Sequence, residues 1–275
     1  MKNIIKSLFI SAFPVYSLVI FINTLLKNNF TLHSIGLLLS SISVVSFFLM
    51  LFIKPVARTT KTLTFYSALI SIGFTLNLLD FNWDSLLIPL SIALGWLAYL
   101  TWYSTFNSRD MSVLDFGKKL PEFSLENTNK EMVNSNSFTG DFKILIFYRG
   151  NWCPLCMAQI KEVVQQYKEL EKRNIDMLLI SSQPHKFTKS LAKKHQVPFH
   201  FLRDIDNKVA KQLKIIHKNG LPVGFQVLGY ESDVVLPTVI ITDKNDKIIF
   251  ADLTDNYRVR PEPETFLRII DNYKG

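Results

Sequence analysis

At 275 residues the chain has room for two units of ordinary domain size, and its 48% hydrophobic content is unevenly spread. From Met1 to Asn107 there are only six basic and two acidic side chains, whereas the remainder holds 25 basic and 21 acidic ones, the mix of a water-soluble domain. The formal charge of +8 is split evenly between the halves, and the basic excess of the first lies in short connections between apolar runs, which excludes the concentrated basic face of a nucleic-acid-binding protein and points to membrane topology.

Four charge-free runs come first: Leu8 to Leu26, Leu32 to Ile53, Leu63 to Leu79 and Leu86 to Tyr103. At ~1.5 Å rise per residue each approaches or reaches the ~30 Å hydrocarbon core of a bilayer, the third being the shortest. One such run alone reads equally as a buried core helix, and the first, with Lys2 and Lys6 ahead of it, as a signal peptide; four in succession with turn-sized separations predict four transmembrane helices. Lys2 and Lys6, then Lys54, Arg58 and Lys61, then Arg109, Lys118 and Lys119 fall on one side, against Lys27, Asp80 and Asp84 on the other. The positive-inside rule therefore predicts a multi-pass cell-membrane protein with both termini cytoplasmic. Trp96, Tyr99, Trp102 and Tyr103 crowd the end of the fourth run, fitting either a lipid–water interface or helix packing. No Cys or acid lies deep in these runs and His33 stands at an end, so this half reads as an anchor or partner surface toward the lipid bilayer, a lipid or quinone contact being left open. A dithiol relay across the bilayer is not available to this chain alone.

Ser108 to Lys119 is the predicted linker, making 1–107 the membrane region, 108–120 the connection and 121–275 the soluble domain. Lys143 to Tyr148 is short and apolar enough for a buried strand. A helix is predicted to begin near Pro154, because Met157, Ile160, Val163, Val164, Tyr167 and Leu170 recur at three- and four-residue spacing. Ile175 to Ser181 is a second strand, Pro184 to Gln196 a polar helix and Asp206 to Leu213 a further helical turn or two. Thr238 to Thr242 and Lys247 to Ala251 bracket a turn at Asp243 to Asp246 and predict a hairpin, before a closing helix from Pro261 to Tyr273. The predicted domain is α/β with a mixed central sheet.

The run Phe147-Tyr148-Arg149-Gly150-Asn151-Trp152-Cys153-Pro154-Leu155-Cys156 falls where a strand meets a long helix. Two cysteines separated by two residues there can close a small disulfide ring, and the leading thiol faces the free N–H groups and positive dipole end of the helix, which favours the thiolate that attacks disulfides or peroxides. Competing readings are a zinc site, which would have to recruit from His185, His195, His200 and His217 without paired spacing, a purely structural disulfide, and two inert buried thiols. No metal or organic cofactor is implied by these residues.

Residues Pro121 to about Tyr273 resemble the alkyl hydroperoxide reductase/thiol-specific antioxidant, or peroxiredoxin-like, branch of the thioredoxin superfamily. The residues that carry the resemblance are the cysteine run, Ile180-Ser181-Ser182-Gln183, Leu236-Pro237-Thr238 ahead of the hairpin, and Asp255-Asn256-Tyr257-Arg258-Val259-Arg260 before the last helix. It implies a thioredoxin-like fold and a thiol-dependent oxidoreductase with Cys153 and Cys156 catalytic, Trp152, Arg149, Pro237 and Thr238 supporting substrate, and Pro237 as a cis-proline beside the dithiol.

Two assignments follow from it. Aligning the Pro-x-x-x-Thr-x-x-Cys signature of peroxiredoxins on Cys156 puts Cys153 at its threonine and Arg149 at its proline; Cys156 then attacks peroxide and Cys153 resolves the sulfenic acid. Arg149 then supplies positive charge, or is an exposed residue that merely ends a strand. In the thioredoxin arrangement Trp152 precedes an exposed nucleophile, Cys153, which attacks a protein disulfide while Cys156 releases it, although Phe147 stands where thioredoxins keep a buried Asp, and Pro154 where they have Gly. Segments outside the motif favour the antioxidant peroxidase, with an external thiol reductant such as thioredoxin or glutathione. The dithiol reductase and a non-catalytic membrane scaffold with a partner-docking domain remain the alternatives.

Overall fold

A computed structural model describes residues 2–28, 30–80, 83–106, 109, 110 and 112–274. Four apolar helices come first: α1 (Lys2–Leu26), α2 (Leu32–Ile53), α3 (Thr64–Leu79) and α4 (Trp83–Ala98), the last passing into a π-helical turn at Tyr99–Tyr103. Three stretches, Asn3–Leu26, Leu32–Ile53 and Leu86–Tyr103, are long and apolar enough to cross a membrane; α3, at 16 residues, is shorter than those three.

Small residues set the packing of α2 on α3. A Cβ at Gly36 would stand 2.5 Å from the Gly73 carbonyl, and one at Gly73 2.6 Å from that of Gly36, so the two backbones approach as only glycine permits. Thr31 caps α2 by accepting from the Ser34 N–H at 3.2 Å. Trp96 and Tyr99 prove to be packing residues: both are buried against Phe47, at ring separations of 5.4 and 5.5 Å, and the Trp96 indole donates to Ser67 on α3.

Ser108 and Met111 of the predicted linker lie outside the described residues; of its other residues, Leu114 is buried in the core of the domain and Arg109 bonds into it. The domain follows as β1 (Ser124–Glu126), β2 (Met132–Asn134), β3 (Phe142–Phe147), α5 (Pro154–Gln165), α6 (Tyr167–Lys172), β4 (Ile175–Ser181), α7 (His185–His195), β5 (His200–Arg203), α8 (Lys208–Gln212), β6 (Ile216–His217), β7 (Val234–Val235), β8 (Thr238–Asp243), β9 (Ile248–Asp252) and α9 (Pro263–Lys274). Seven strands form one sheet in the order β2-β1-β5-β4-β3-β8-β9. The centre is mixed: β3 runs parallel to β4 and β4 to β5, while β8 lies antiparallel to β3 and to β9. This is the predicted mixed sheet of a thioredoxin-like domain, with the β1–β2 hairpin and the short β5 as elements too brief to show a pattern in sequence.

Successive residues of β3 point to opposite faces, so each face carries its own core. Leu145 and Phe147 join Leu178, Ile180 and Ile240 on one side. Ile144 and Ile146 join Met177, Leu179, Ile160 of α5 and Phe266 of α9 on the other, and that second cluster runs on without a break through Cys153, Cys156 and Tyr257 to Phe47, Leu51 and Tyr99 of the N-terminal apolar helices. The two halves thus share one apolar core at the cysteine end of the sheet.

Candidate active site

β3 is buried at all six positions, and its pairing continues one residue further where the Tyr148 N–H donates to the Ile180 carbonyl at 2.9 Å. The chain then turns at Gly150, whose φ of +144° lies in the region side chains avoid, and a Cβ there would meet the Trp152 indole nitrogen at 2.7 Å. Gln183 holds the turn by accepting from the Asn151 N–H at 2.9 Å, and its amide donates to the Tyr148 hydroxyl at 3.0 Å; Tyr230 donates to the Asn151 side chain. Cys153 becomes the N-cap of α5 with Pro154 at the first helical position, where a missing N–H is no loss.

The capping sulfur of Cys153 accepts from the Cys156 N–H at 3.4 Å, and the two sulfurs lie 2.7 Å apart with both cysteines free. Neither is at the surface: Cys153 is 3% exposed and Cys156 not at all. The exposed nucleophile of the thioredoxin arrangement is therefore corrected, because α1, α2 and Phe225 line the space in front of Cys153.

Arg260, from the segment between β9 and α9, supplies the charge. Its Nη1 and Nη2 both lie 3.5 Å from the Cys156 sulfur, and Nη2 lies 4.0 Å from that of Cys153. The guanidinium is held by the Gln159 side chain at 3.0 Å and the Tyr257 carbonyl at 3.0 Å, and is 4% exposed. Burial would push the Cys156 thiol up, but the hydrogen bond shared with Cys153, the Arg260 charge and the Arg149 backbone N–H together bring it down to about 5. Burial and the hydrogen bond with Cys156 drive Cys153 the other way, well above an ordinary thiol. The two thiols are thus shifted in opposite directions, and the two Arg260 nitrogens on its sulfur favour Cys156 as the more acidic of the pair.

Arg149 is not an exposed strand end. It is buried, donates to the Gly220 carbonyl and lies 4.8 Å over the Trp152 ring. Pro237 is not the expected cis-proline, since no cis peptide bond occurs among the described residues, while Thr238 pairs with Phe147 at the end of the strand that leads into the cysteine loop. The Leu236 N–H donates to the Ile215 carbonyl at 2.7 Å, and Arg109 holds the Pro237 carbonyl at 2.9 Å and the Thr238 hydroxyl at 3.0 Å. The chain thereby runs extended from β7 into β8, a path the intrinsically favoured trans isomer fits.

Arg258, two residues before Arg260, is wholly buried and ties the site to the N-terminal helical half. Its guanidinium donates to the Ser104 hydroxyl at 2.9 Å, the Thr59 hydroxyl at 3.0 Å and the carbonyls of Thr60 and Lys61 at 2.7 and 2.9 Å. Arg58 of the same connection donates to the Arg260 carbonyl at 3.1 Å and pairs with Glu162 on α5. Sequence reasoning quoted Arg258 and Arg260 only as part of a resemblance; Gln159 and Gln183 it did not single out as site residues, although Gln159 stands three residues after Cys156 and so on the same helical face.

A thioredoxin-like sheet thus carries a pair of free cysteines at the start of α5, the arrangement of a thiol oxidoreductase domain. Residues 116–251 match the AhpC/TSA family. Peroxiredoxin Bcp of Escherichia coli is 30% identical over 105 residues, covering 38% of this chain and 67% of that protein. Peroxiredoxin 2 of Thermoplasma acidophilum is 29% identical over 114 residues, 39% of this chain and 57% of that one. The chain belongs to the AhpC/TSA, or peroxiredoxin, family, and it spans about half the length of Peroxiredoxin 2 and of the chloroplastic Peroxiredoxin Q of Triticum aestivum, 57% and 44%. Among solved structures, Peroxidoxin BcpB from Mycobacterium tuberculosis is similar at 16% identity and a TM-score of 0.49, covering 59% of this chain and 99% of that one.

Proposed function

We propose that this chain is a membrane-held, thiol-dependent peroxidase in which Cys156 attacks the peroxide and Cys153 resolves it. The observation that carries the reading is the pair of Arg260 nitrogens on the Cys156 sulfur, which holds the reactive thiolate at that position. The Cys156 sulfur takes the distal oxygen as a sulfenic acid, and the departing oxygen takes the proton of Cys153. Cys153 then displaces hydroxide from the sulfenic sulfur, leaving a Cys153–Cys156 disulfide and, once protonated, water. An external thiol reductant such as thioredoxin or glutathione reopens it. The depth of both sulfurs favours a small or slender substrate over a folded protein disulfide.

We further propose that all four helices cross a bilayer, α3 at ~24 Å by its 16 residues being short of the ~30 Å core and accommodated by local thinning against α2. Supporting a cytoplasmic domain, the start of α1 and the basic α2–α3 connection both meet the soluble domain: Asn3 donates to the Lys218 carbonyl, and Thr60 and Lys61 accept from Arg258. The sparsely charged connections lie together at the opposite end, where the His33 N–H donates to Asp80. On this reading 1–107 is the membrane region, 108–120 the connection and 121–275 the catalytic domain.

The test is H2O2 consumption by this chain in detergent, with dithiothreitol for wild-type turnover and, for each variant, with pre-reduced protein freed of excess thiol. Turnover in the wild type, none of any kind in Cys156→Ser, and a single stoichiometric reaction without turnover in Cys153→Ser support the assignment. Loss of the single reaction in Cys153→Ser but not in Cys156→Ser overturns it.

A further inference from the structure

Residues 221–230, between β6 and β7, carry no charge, and the cysteine chemistry draws on none of their exposed side chains. Leu221 and Tyr230 at the two ends are buried, but the middle is not: Val227 is 87% exposed, with Val223 and Leu228 exposed beside it. Gly224 and Gly229, at φ of +102° and +90°, bound the single helical turn that presents these residues, in backbone conformations that side chains avoid. An apolar tip held out by a fixed turn is a liability in water and calls for a partner.

The segment runs down α1 before it turns. The Lys218 carbonyl accepts from the Asn3 side chain at 2.8 Å, the Leu221 carbonyl from the Ser7 hydroxyl, and the Val223 carbonyl from the Ser11 hydroxyl at 3.1 Å, while the Val223 N–H donates to the Ser7 carbonyl at 3.4 Å. At ~1.5 Å per residue the chain thereby descends ~12 Å along the helix and stands ~8 Å past Lys6, the last charged residue of α1. α2 gives the same level, since Phe225 shares a cavity wall with Phe48, Leu51 and Phe52, which precede Lys54 inside the apolar run. Positive charge stands beside the tip. A Cβ at Gly229 would lie 3.8 Å from Pro184 at the start of α7, Tyr230 stacks on Phe187 at 5.0 Å, and Lys186 and Lys189 are exposed there on a helix that carries no acidic residue.

We propose that the 223–228 turn is a membrane-contact surface, with Val227 and Leu228 immersed at the boundary between headgroups and acyl chains and Lys186 and Lys189 set against the phosphates of the same leaflet. The inference rests on the reading above that α1 and α2 cross a bilayer, and adds a second attachment made by the soluble domain itself. Lipid is the occupant, rather than a second copy of the chain or another protein, because the tip is level with a helix surface that is apolar on its own account: Leu8 and Val15, one turn to either side of Ser11, are exposed. Interfacial apolar segments reach ~5–10 Å into the headgroup–acyl boundary, and a tip ~8 Å past the last charge of α1 falls within that depth. Anionic lipid draws the two lysines closer, and salt weakens that part of the contact alone.

The test places a nitroxide on Val227→Cys in this chain, with Cys153→Ser and Cys156→Ser, in vesicles of phosphatidylcholine and phosphatidylglycerol. It reads collisions with oxygen, which concentrates among acyl chains, against those with a water-soluble nickel chelate. The same label on Ile42→Cys, midway along α2, reports the bilayer, and on Lys244→Cys, in the β8–β9 turn, water. The expected oxygen-to-nickel ratio at Val227→Cys is at least about fivefold that at Lys244→Cys, and it falls when Lys186→Glu and Lys189→Glu are added. A ratio equal to that of Lys244→Cys, with Ile42→Cys still oxygen-rich, overturns the loop contact and leaves the spanning helices standing; water-like ratios at both overturn the bilayer reading and the inference with it. Collisions low with both reagents mark a protein partner and overturn the lipid assignment, and a ratio untouched by the charge reversals strikes the two lysines from the contact. In the unaltered chain, independent of any variant's folding, a diazirine-bearing phosphatidylcholine should label residues 223–228; labelling confined to the apolar helices counts against the contact.

Discussion

Arg260 places both of its terminal nitrogens 3.5 Å from the sulfur of Cys156, a residue 104 positions earlier in the chain. The contact joins the start of α5 to the segment before α9, and that segment is itself held by Arg58 and Arg258 against the connection between α2 and α3. The reactivity of the sulfur therefore depends on structure that neither half of the chain holds alone.

Removing the charge should return Cys156 toward an ordinary thiol. With a thiol near ~8.5 in place of about 5, only a few per cent is ionised at pH 7, so Arg260→Met is expected to slow H2O2 reduction about 30-fold at neutral pH and to recover most of it near pH 9. Stopped-flow peroxide rates across pH check this; a rate unchanged at pH 7 removes Arg260 from the account.

In the wild type the sign runs the same way. The reactive form is the deprotonated one and its pKa is lowered, so alkylation of Cys156 by iodoacetamide should stay level from pH 8 to about 6 and fall as pH drops through about 5. A midpoint near that of a free thiol would mean that the neighbouring guanidinium does not act on the sulfur.

Arg258→Ala should loosen the joint between the halves. Four hydrogen bonds from a fully buried guanidinium disappear, leaving the Thr60 and Lys61 carbonyls without that donor, and a loss of about 3 kcal/mol is expected. Limited proteolysis should then cut within residues 54–62 where the wild type resists, and peroxide reduction should fall with it because Arg260 loses its anchor. Wild-type resistance in the variant would contradict the clamp.

Gly150→Ala tests the cysteine loop. A positive φ and a Cβ at 2.7 Å from the Trp152 indole both oppose any side chain, for a loss of about 1–3 kcal/mol. The thermal midpoint in detergent should drop by several degrees and Trp152 emission should shift; an unaltered melt would show that the turn can rearrange without cost.

Much of this arrangement is legible in the sequence where local pattern speaks. The six buried residues of β3, the strand Ile175–Ser181 and the helix starting at Pro154 follow from apolar runs and a capping position, and the four apolar helices follow from hydropathy. What local pattern does not carry is distance across the fold. Arg260 stands far from the cysteines in sequence, and a lone arginine in a polar tail has no feature to distinguish it from a solvated one; its burial is a product of the tail being threaded between the domain and Ser104. The burial of Arg149 and the trans bond of Pro237 are illegible for the same reason, since the Gly220 carbonyl that takes up one and the Arg109 side chain that holds the other come from remote segments. The cavity shared by α1, α2 and Cys153 likewise exists only once these helices pack on the domain.

The assignment of the thiolate to Cys156 is tested most directly by locating the first oxidised sulfur. After one equivalent of H2O2 and trapping with dimedone, mass spectrometry of Cys153→Ser should find the adduct on Cys156, and Cys156→Ser should carry none on Cys153. An adduct on Cys153 in Cys156→Ser, with none on Cys156 in the reciprocal variant, would contradict it.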